Sequence, residues 1–200
     1  MRCISHQTKR LLVYCAISIF STVSYASSNK LTLNNGKPKM RIDFIGPNEV
    51  NLWRITNDGV MGGVSTSAMI ITGQDGLFTG DISLDNNGGF SSVYRRIEPL
   101  HSDIKSISIN VKGDGQTYQL KLIAKVDGYR VTYRHQFTTK KDVTALHHFN
   151  LTDFVATFRG RLLTNAPVLL AKNVKEVGFL MTKKTAGKFA LTILDIEFNI

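Results

Sequence analysis

Cysteine is almost absent from this sequence: the chain of 200 residues has two, Cys3 and Cys15, and both lie in the first 26 residues. If that segment is removed, the remaining chain can form no disulfide and has no thiol nucleophile or thiolate metal ligand. A domain without disulfides is stabilised by its core alone. The residues that follow Ala26 are numerous enough to form one domain with a substantial core.

A long hydrophobic run is also absent. The apolar stretch 11–20 is shorter than the roughly 20 residues that a membrane-spanning helix requires, so an uncleaved anchor is disfavoured. The stretch follows the basic residues Lys9 and Arg10 and precedes Ser24-Tyr25-Ala26, which has small residues where signal peptidase needs them. We therefore expect a signal peptide over residues 1–26, cleavage after Ala26, a periplasmic or secreted protein, and no stable membrane anchor after cleavage.

Acidic residues are fewer than basic ones. The chain has 25 Lys and Arg against 15 Asp and Glu. Loss of the signal peptide leaves 22 basic side chains and a net charge of +7. Such a charge favours anionic partners such as acidic glycans, lipid headgroups or acidic proteins. The basic residues are scattered and do not alternate with aromatic residues in a recognisable module, so we expect no nucleic-acid partner.

No segment has the 3.6-residue periodicity of a long helix. Short alternating runs are instead separated by turn signals such as Asp127-Gly128. After an N-terminal arm (27–39), the pattern predicts one all-β domain over residues 40–200, for which we expect a jelly-roll β-sandwich of about eleven strands. The predicted strands are 41–44, 53–56, 67–72, 77–84, 90–97, 107–111, 118–124, 129–138, 146–151, 176–182 and 189–200.

The last predicted strand contains a change of face. Apolar residues occupy odd positions up to Ile193 and even positions from Ile196 onward. Successive side chains of a strand point to opposite sides, so a regular strand would expose one of the two groups. A bulge of one residue near Leu194–Asp195 would place both groups on one buried face.

Catalytic and cofactor motifs are missing. The segment 63–67 (GVSTS) lacks the closing glycine of a nucleophile elbow, and 113–115 (GDG) lacks the third glycine and the helix of a dinucleotide site. His147 and His148 point to opposite faces of a strand, so they cannot ligate one metal from it. We expect no enzyme, no cofactor, no catalytic residue and no metal site. Calcium binding stays open, with candidate ligands Asp58, Asp85 and Asp114.

Five glycine-containing blocks are the distinctive motifs of the chain: 53–65 (WRITNDGVMGGVS), 85–93 (DNNGGFSSV), 112–118 (KGDGQTY), 158–160 (FRG) and 187–189 (GKF). In this order and spacing they resemble the complex I intermediate-associated protein 30 family, from about residue 43 to 200. The resemblance implies a galactose-binding-domain-like fold and a non-catalytic role. The best-known members act in mitochondria as chaperones that assemble respiratory complex I. Because the export signal implies a different compartment, the client of this chain stays open.

The resemblance and the signal peptide together predict an exported, non-enzymatic binding domain, an assembly factor or chaperone-like scaffold for another protein. The alternative is a carbohydrate-binding module for acidic glycans, with Tyr94, Tyr129 and Tyr133 as aromatic platforms and Arg95 or Arg134 on a concave sheet face. The glycine loops either build one end of the sandwich or form a binding lip there. The predicted binding residues are Trp53, Asp58, Met61, Asn87, Phe90, Ser92, Arg95, Asp114, Tyr118 and Arg159.

Overall fold

A computed structural model describes residues 30–34, 37–158 and 160–200 and contains two seven-stranded antiparallel sheets. The strands are β1 Lys30–Asn34, β2 Lys37–Ile42, β3 Trp53–Asn57, β4 Thr66–Thr72, β5 Asp75–Ile82, β6 Phe90–Arg96, β7 Ser106–Lys112, β8 Thr117–Val126, β9 Tyr129–Thr138, β10 Thr144–Asn150, β11 Val155–Phe158, β12 Arg161–Leu162, β13 Val174–Thr182 and β14 Gly187–Asn199. Short 3-10 helices cover Glu49–Leu52, Asp58–Met61, Asp85–Asn87, Leu151–Asp153 and Ala171–Asn173. The fold is an all-β jelly-roll sandwich, as the sequence predicts.

Sheet A is organised around β14. On one side β14 pairs with β5 and then with β2, and on the other side it pairs with β7. Strands β4, β1 and β10 lie at the edges. The pairing of β14 with β7 shifts register between Ile193 and Asp195, and both Ile193 and Ile196 are fully buried. The predicted bulge is therefore confirmed, and it keeps the whole strand in the core.

Sheet B has the order β12-β11-β9-β8-β13-β6-β3. Its inner face is apolar and carries the fully buried Val93, Leu120 and Phe179. The β8–β9 hairpin turns at Asp127 and Gly128, whose φ angles of 49° and 85° suit a type I′ turn. This turn sets the register that places Lys121 opposite Arg134 on the outer face.

Each of the eleven predicted strands occurs: 129–138 has the predicted bounds, and the others have shifted ends. The first of them starts earlier than predicted, because β2 begins at Lys37. Strands β1, β11 and β12 were not predicted; β11 has four residues and β12 two, too few for a period-two pattern to stand out. Among the described residues, no α-helix occurs and no helix is long and apolar enough to cross a membrane.

An ion pair lies in the core beneath β6. Arg95 and Glu49 are each 1% exposed, and the guanidinium donates from Nε and Nη2 to the two carboxylate oxygens, with an Nη2 to Oε2 distance of 2.9 Å. The Trp53 indole N–H donates to Glu49 Oε1 at 3.1 Å, the acceptor that a buried indole requires. Arg95, one of two arginines considered for a concave sheet face, points inward beside Val93 because of the parity of β6.

Candidate functional site

Asp58 joins the first two glycine blocks. Its buried carboxylate accepts hydrogen bonds from the Ser65 N–H at 2.9 Å and from the Ser65 hydroxyl. It also accepts hydrogen bonds from the N–H groups of Gly89 at 2.7 Å and Phe90 at 3.3 Å. Burial alone would raise the pKa of Asp58, but the hydrogen bonds from Ser65, Gly89 and Phe90 outweigh burial and lower that pKa. The carboxylate therefore ties the start of β6 to the loop before β4.

The glycines next to Asp58 make this contact possible. A Cβ atom on Gly63 or Gly88 would collide with the Asp58 carboxyl group. These two positions need glycine because the carboxylate approaches the backbone closely. The interpretation that the first two blocks build one end of the sandwich fits Asp58, Gly63 and Gly88.

Asp114 links the third block to the last one in the same way. Its carboxylate accepts from the Tyr118 hydroxyl at 3.0 Å and from the Ala190 N–H at 2.8 Å. The Gln116 side chain adds a hydrogen bond to the carbonyl oxygen of Lys188. Burial raises the pKa of Tyr118, and the negative charge of Asp114 raises it further. Tyr118 thus stays a neutral donor that fixes β8 against β14.

A cleft of about 810 Å³ opens on the outer face of sheet B. It runs from the 3-10 helix Asp58–Met61, across β6, β13, β8 and β9, to β11 and the turn before β12. The cleft is the largest of the cavities described on the molecule. Its lining residues are Val60, Met61, Phe90, Gln119, Lys121, Arg134, Thr157, Gly160, Leu180 and Thr182.

The floor of the cleft is cationic. Lys121 and Arg134 face each other across β8 and β9, with Gln119 beside them and no acidic residue in the lining. Burial lowers the pKa of Lys121 to about 8, and the charge of Arg134 contributes to the lowering. The Nε atom of Arg134 is buried and has no hydrogen-bond partner among the described residues. An anionic group would satisfy both side chains.

One end of the cleft has an apolar rim. Val60 and Met61, on the 3-10 helix that Asp58 anchors, are 73% and 67% exposed. Phe90 and Leu180 add apolar surface to the cleft lining. Exposed apolar side chains that lie together mark an interaction surface.

The outer face of sheet B continues into a second pocket of about 390 Å³ near Tyr94. Arg54 lies 5.6 Å from the centre of the Tyr94 ring. Glu176 accepts from Arg54 at 3.2 Å and from Arg130 at 3.0 Å. A Cβ atom on Gly178 would collide with Tyr94, so this glycine leaves room for the ring. In contrast to the floor of the cleft, the arginines here are neutralised by an acid.

The predicted binding residues do not lie together. Met61 and Phe90 line the cleft, and Asn87 is exposed on the loop before β6. Ser92 is buried on the outer face, where its hydroxyl donates to the Thr56 carbonyl at 2.8 Å. The other residues belong to the core or to the two carboxylate braces, namely Trp53, Arg95, Tyr118, Asp58 and Asp114. Arg159 lies outside the described residues.

The tyrosines do not form a platform in the cleft. Tyr133 points inward and donates to the Pro167 carbonyl, and Tyr129 is exposed at the tip of the β8–β9 hairpin. Of the carboxylates considered for calcium, Asp58 and Asp114 are occupied by N–H and O–H donors, and Asp85 is exposed. No group of three His, Cys, Asp or Glu residues that could hold a metal ion occurs in the described part of the chain.

Arg134 was a candidate at the level of sequence, but its partner Lys121 was missed, although one signal was available. A two-residue turn at Asp127-Gly128 pairs residues that are equidistant from it, which places Lys121 opposite Arg134. The alternation of β8, with Leu120 and Leu122 inward, then directs Lys121 outward. The cationic pair can therefore be predicted from the sequence, but the cleft around it cannot.

The sequence model of complex I intermediate-associated protein 30 (CIA30) matches residues 42–193. The family 11 carbohydrate-binding module from Clostridium thermocellum, in complex with a β-1,3-1,4-mixed-linked tetrasaccharide, has a similar fold. It superposes with a TM-score of 0.60 and 14% identity over 80% of this chain and 95% of that chain. The family 11 module of the C. thermocellum cellulase Lic26A-Cel5E superposes with a TM-score of 0.56 and 13% identity, over 74% of this chain and 86% of that chain. At this identity the similarity concerns the fold alone. No curated protein sequence is significantly similar to this chain.

Proposed function

Because the chain belongs to the complex I intermediate-associated protein 30 family, we propose that it is a binding domain without catalytic activity. In this proposal it acts as an assembly factor or chaperone-like scaffold for another protein. The partner occupies the cleft on the outer face of sheet B. The observation that carries the proposal is the exposed apolar rim at one end of that cleft, formed by Val60 and Met61.

The energetics of the rim favour a polypeptide partner. Burying one Val or Met side chain contributes about 1.5–3 kcal/mol, so a few rim residues supply a substantial part of a binding energy. Polar and charged groups on the floor select the partner more than they add affinity. An apolar rim beside a polar floor therefore fits a protein segment that carries both apolar and charged side chains.

A charge placed on the rim is expected to abolish partner binding. Met61→Asp puts a carboxylate on the rim, where a partner would bury it without compensation, and we expect at least a tenfold loss of recovered partner. The measurement is affinity purification from the native envelope extract, with quantitative mass spectrometry. Ile70→Asp is the matched control, because Ile70 is exposed on the outer face of sheet A, away from the cleft. A partner that the two variants retain equally well would contradict the proposal.

We also propose that the protein is exported, on the basis of its N-terminal sequence. The mature protein is then expected to begin at Ser27 in the periplasmic or secreted fraction, as N-terminal sequencing of the fractionated protein would detect. Ala26→Phe removes the small residue before the cleavage site, so the precursor should accumulate. A chain that lacks residues 1–26 is the control for cytoplasmic location. Wild-type protein that keeps Met1 in the cytoplasm would contradict export.

A second candidate function is the binding of acidic glycans. The cationic floor with Gln119 offers donors to a uronate, and a structural neighbour of this chain is a carbohydrate-binding module that was solved with a tetrasaccharide. The tyrosines, however, do not line the cleft as stacking platforms. A glycan array separates the two candidates: acidic glycan binding that Met61→Asp leaves intact would favour the module, and an array without signal would remove it.

A further inference from the structure

We propose that Lys121 and Arg134 form a carboxylate-binding subsite on the floor of the cleft, and that its occupant is an acidic segment of the partner polypeptide. This inference rests on the proposed function and names the chemistry of the partner. The observation is a pair of cationic side chains, held opposite each other by the register of β8 and β9, in a cleft whose lining has no acid.

No acidic residue of the described cleft lining neutralises the pair. The buried Arg134 Nε atom has no acceptor among the described residues. Lys121 is buried beside the positive charge of Arg134. A buried unsatisfied donor is rare and costs stability, which points to a ligand that completes it. Like charges side by side also repel, and a carboxylate between them would relieve the repulsion.

The neighbouring arginines on the same face are neutralised by a carboxylate, unlike Lys121 and Arg134. Arg54 and Arg130 lie on the same outer face, and both donate to Glu176. Glu176 stands opposite Ile123 of β8, and Gly178 has no side chain to offer Lys121. The groups around Lys121 are therefore Arg134 from β9 and Gln119 from its own strand, with no acid to neutralise it.

The shape of the cleft selects a peptide carboxylate. A guanidinium binds a carboxylate through two parallel hydrogen bonds, and the ammonium adds a third donor. Phe90 and Leu180 lie in the same cleft, and Val60 and Met61 lie on its rim. A chain that places Asp or Glu between apolar side chains satisfies the floor and the rim at once.

The test uses the purified full chain and two synthetic hexapeptides, acetyl-Leu-Glu-Leu-Glu-Leu-Glu-amide and its counterpart with Gln in place of Glu. The readouts are the NMR resonance of the Arg134 Nε–H group, labelled with nitrogen-15, and the affinity from the titration. We expect the acidic peptide to shift this resonance and to bind at least tenfold more tightly than the amide peptide. Lys121→Gln and Arg134→Gln should each weaken binding about tenfold, as expected for loss of one charge-assisted contact.

Lys125→Gln is the matched control. It removes the same charge from the exposed end of β8, outside the cleft lining, and should change the affinity less than twofold. Since the pKa of free Lys121 is about 8, affinity should fall between pH 7 and pH 9.5, and Lys121→Arg should keep it. The same titration with oligogalacturonate tests a glycan occupant.

Three results would overturn the subsite. They are an Arg134 resonance that does not move with the acidic peptide up to about 5 mM, equal losses in Lys125→Gln and Lys121→Gln, and a shift caused by oligogalacturonate alone. If partner capture still depends on Met61 in these cases, the proposed function stands and only the carboxylate assignment fails.

Discussion

The variant Glu49→Ala is expected to lose about 3–5 kcal/mol of unfolding free energy, the usual result of removing one partner from a buried ion pair. The substitution leaves the Arg95 guanidinium charged, 1% exposed and without its carboxylate. It also removes the acceptor of the Trp53 indole N–H. Since a domain of this size is stabilised by about 5–15 kcal/mol, this loss is a large fraction of its stability.

Urea denaturation followed by far-UV circular dichroism measures this loss independently of Trp53, the single tryptophan. Glu197→Ala is the control, because its ion pairs with Lys39 and Arg41 are partly exposed to solvent and should contribute about 1 kcal/mol or less. The double variant Glu49→Leu/Arg95→Met should be more stable than either single variant, since it leaves no unpaired charge. A Glu49→Ala variant within about 1 kcal/mol of wild type would show that the pair does not matter for stability.

Asp58→Ala is expected to lower the unfolding free energy by about 3–4 kcal/mol, because it leaves the buried N–H groups of Ser65 and Gly89 without acceptors. It should also abolish partner capture, since the carboxylate holds the segment with Val60 and Met61 against the start of β6. Partner recovery and urea denaturation are measured on the same preparation. Asp81→Ala removes an exposed carboxylate from β5 and should have neither effect.

The contribution of Asp58 depends on pH in a defined direction. Its pKa is lowered in the folded protein, so its stabilisation is complete above the ordinary carboxyl pKa of 3.8 and is lost as the pH falls through the lowered value. The difference in unfolding free energy between wild type and Asp58→Asn should therefore shrink below about pH 4. A difference that stays constant between pH 7 and pH 2.5 would mean that the carboxylate charge is not what the Ser65 and Gly89 donors require.

The strands and the bulge of β14 are the part of the fold that the sequence predicts best. The side-chain period of two is a local property of a strand. A change of parity such as that between Ile193 and Ile196 therefore predicts a one-residue bulge. The β8–β9 hairpin follows from Asp127-Gly128 for the same reason. Short edge strands such as β12 were missed because two residues carry no period.

The hydrogen-bond partners of the motif residues cannot be predicted from local sequence. Asp58 and Asp114 stand in glycine turns, and a turn carboxylate suggests either a cap or a ligand. The Asp58 carboxylate accepts a hydrogen bond from the Gly89 N–H, 31 residues away in sequence, and the Asp114 carboxylate accepts one from the Ala190 N–H, 76 residues away. From the sequence alone, Arg95 would likewise be predicted at the surface, because its buried partner Glu49 is 46 residues away. In each case the partner lies on a different element of the chain, and sequence spacing does not predict it.

By itself the sequence determined the strand pattern, the register at Asp127-Gly128, the excess of basic charge and the family resemblance, because periodicity, turn chemistry and composition are local. Only the tertiary structure decided which charges are buried in the core and which line the cleft. Arg95 and Arg134 have the same side chain and lie on strands of one sheet, with two strands between them. One points inward to Glu49, and the other points outward to an acid-free cleft, because strand parity and long-range pairing set their surroundings.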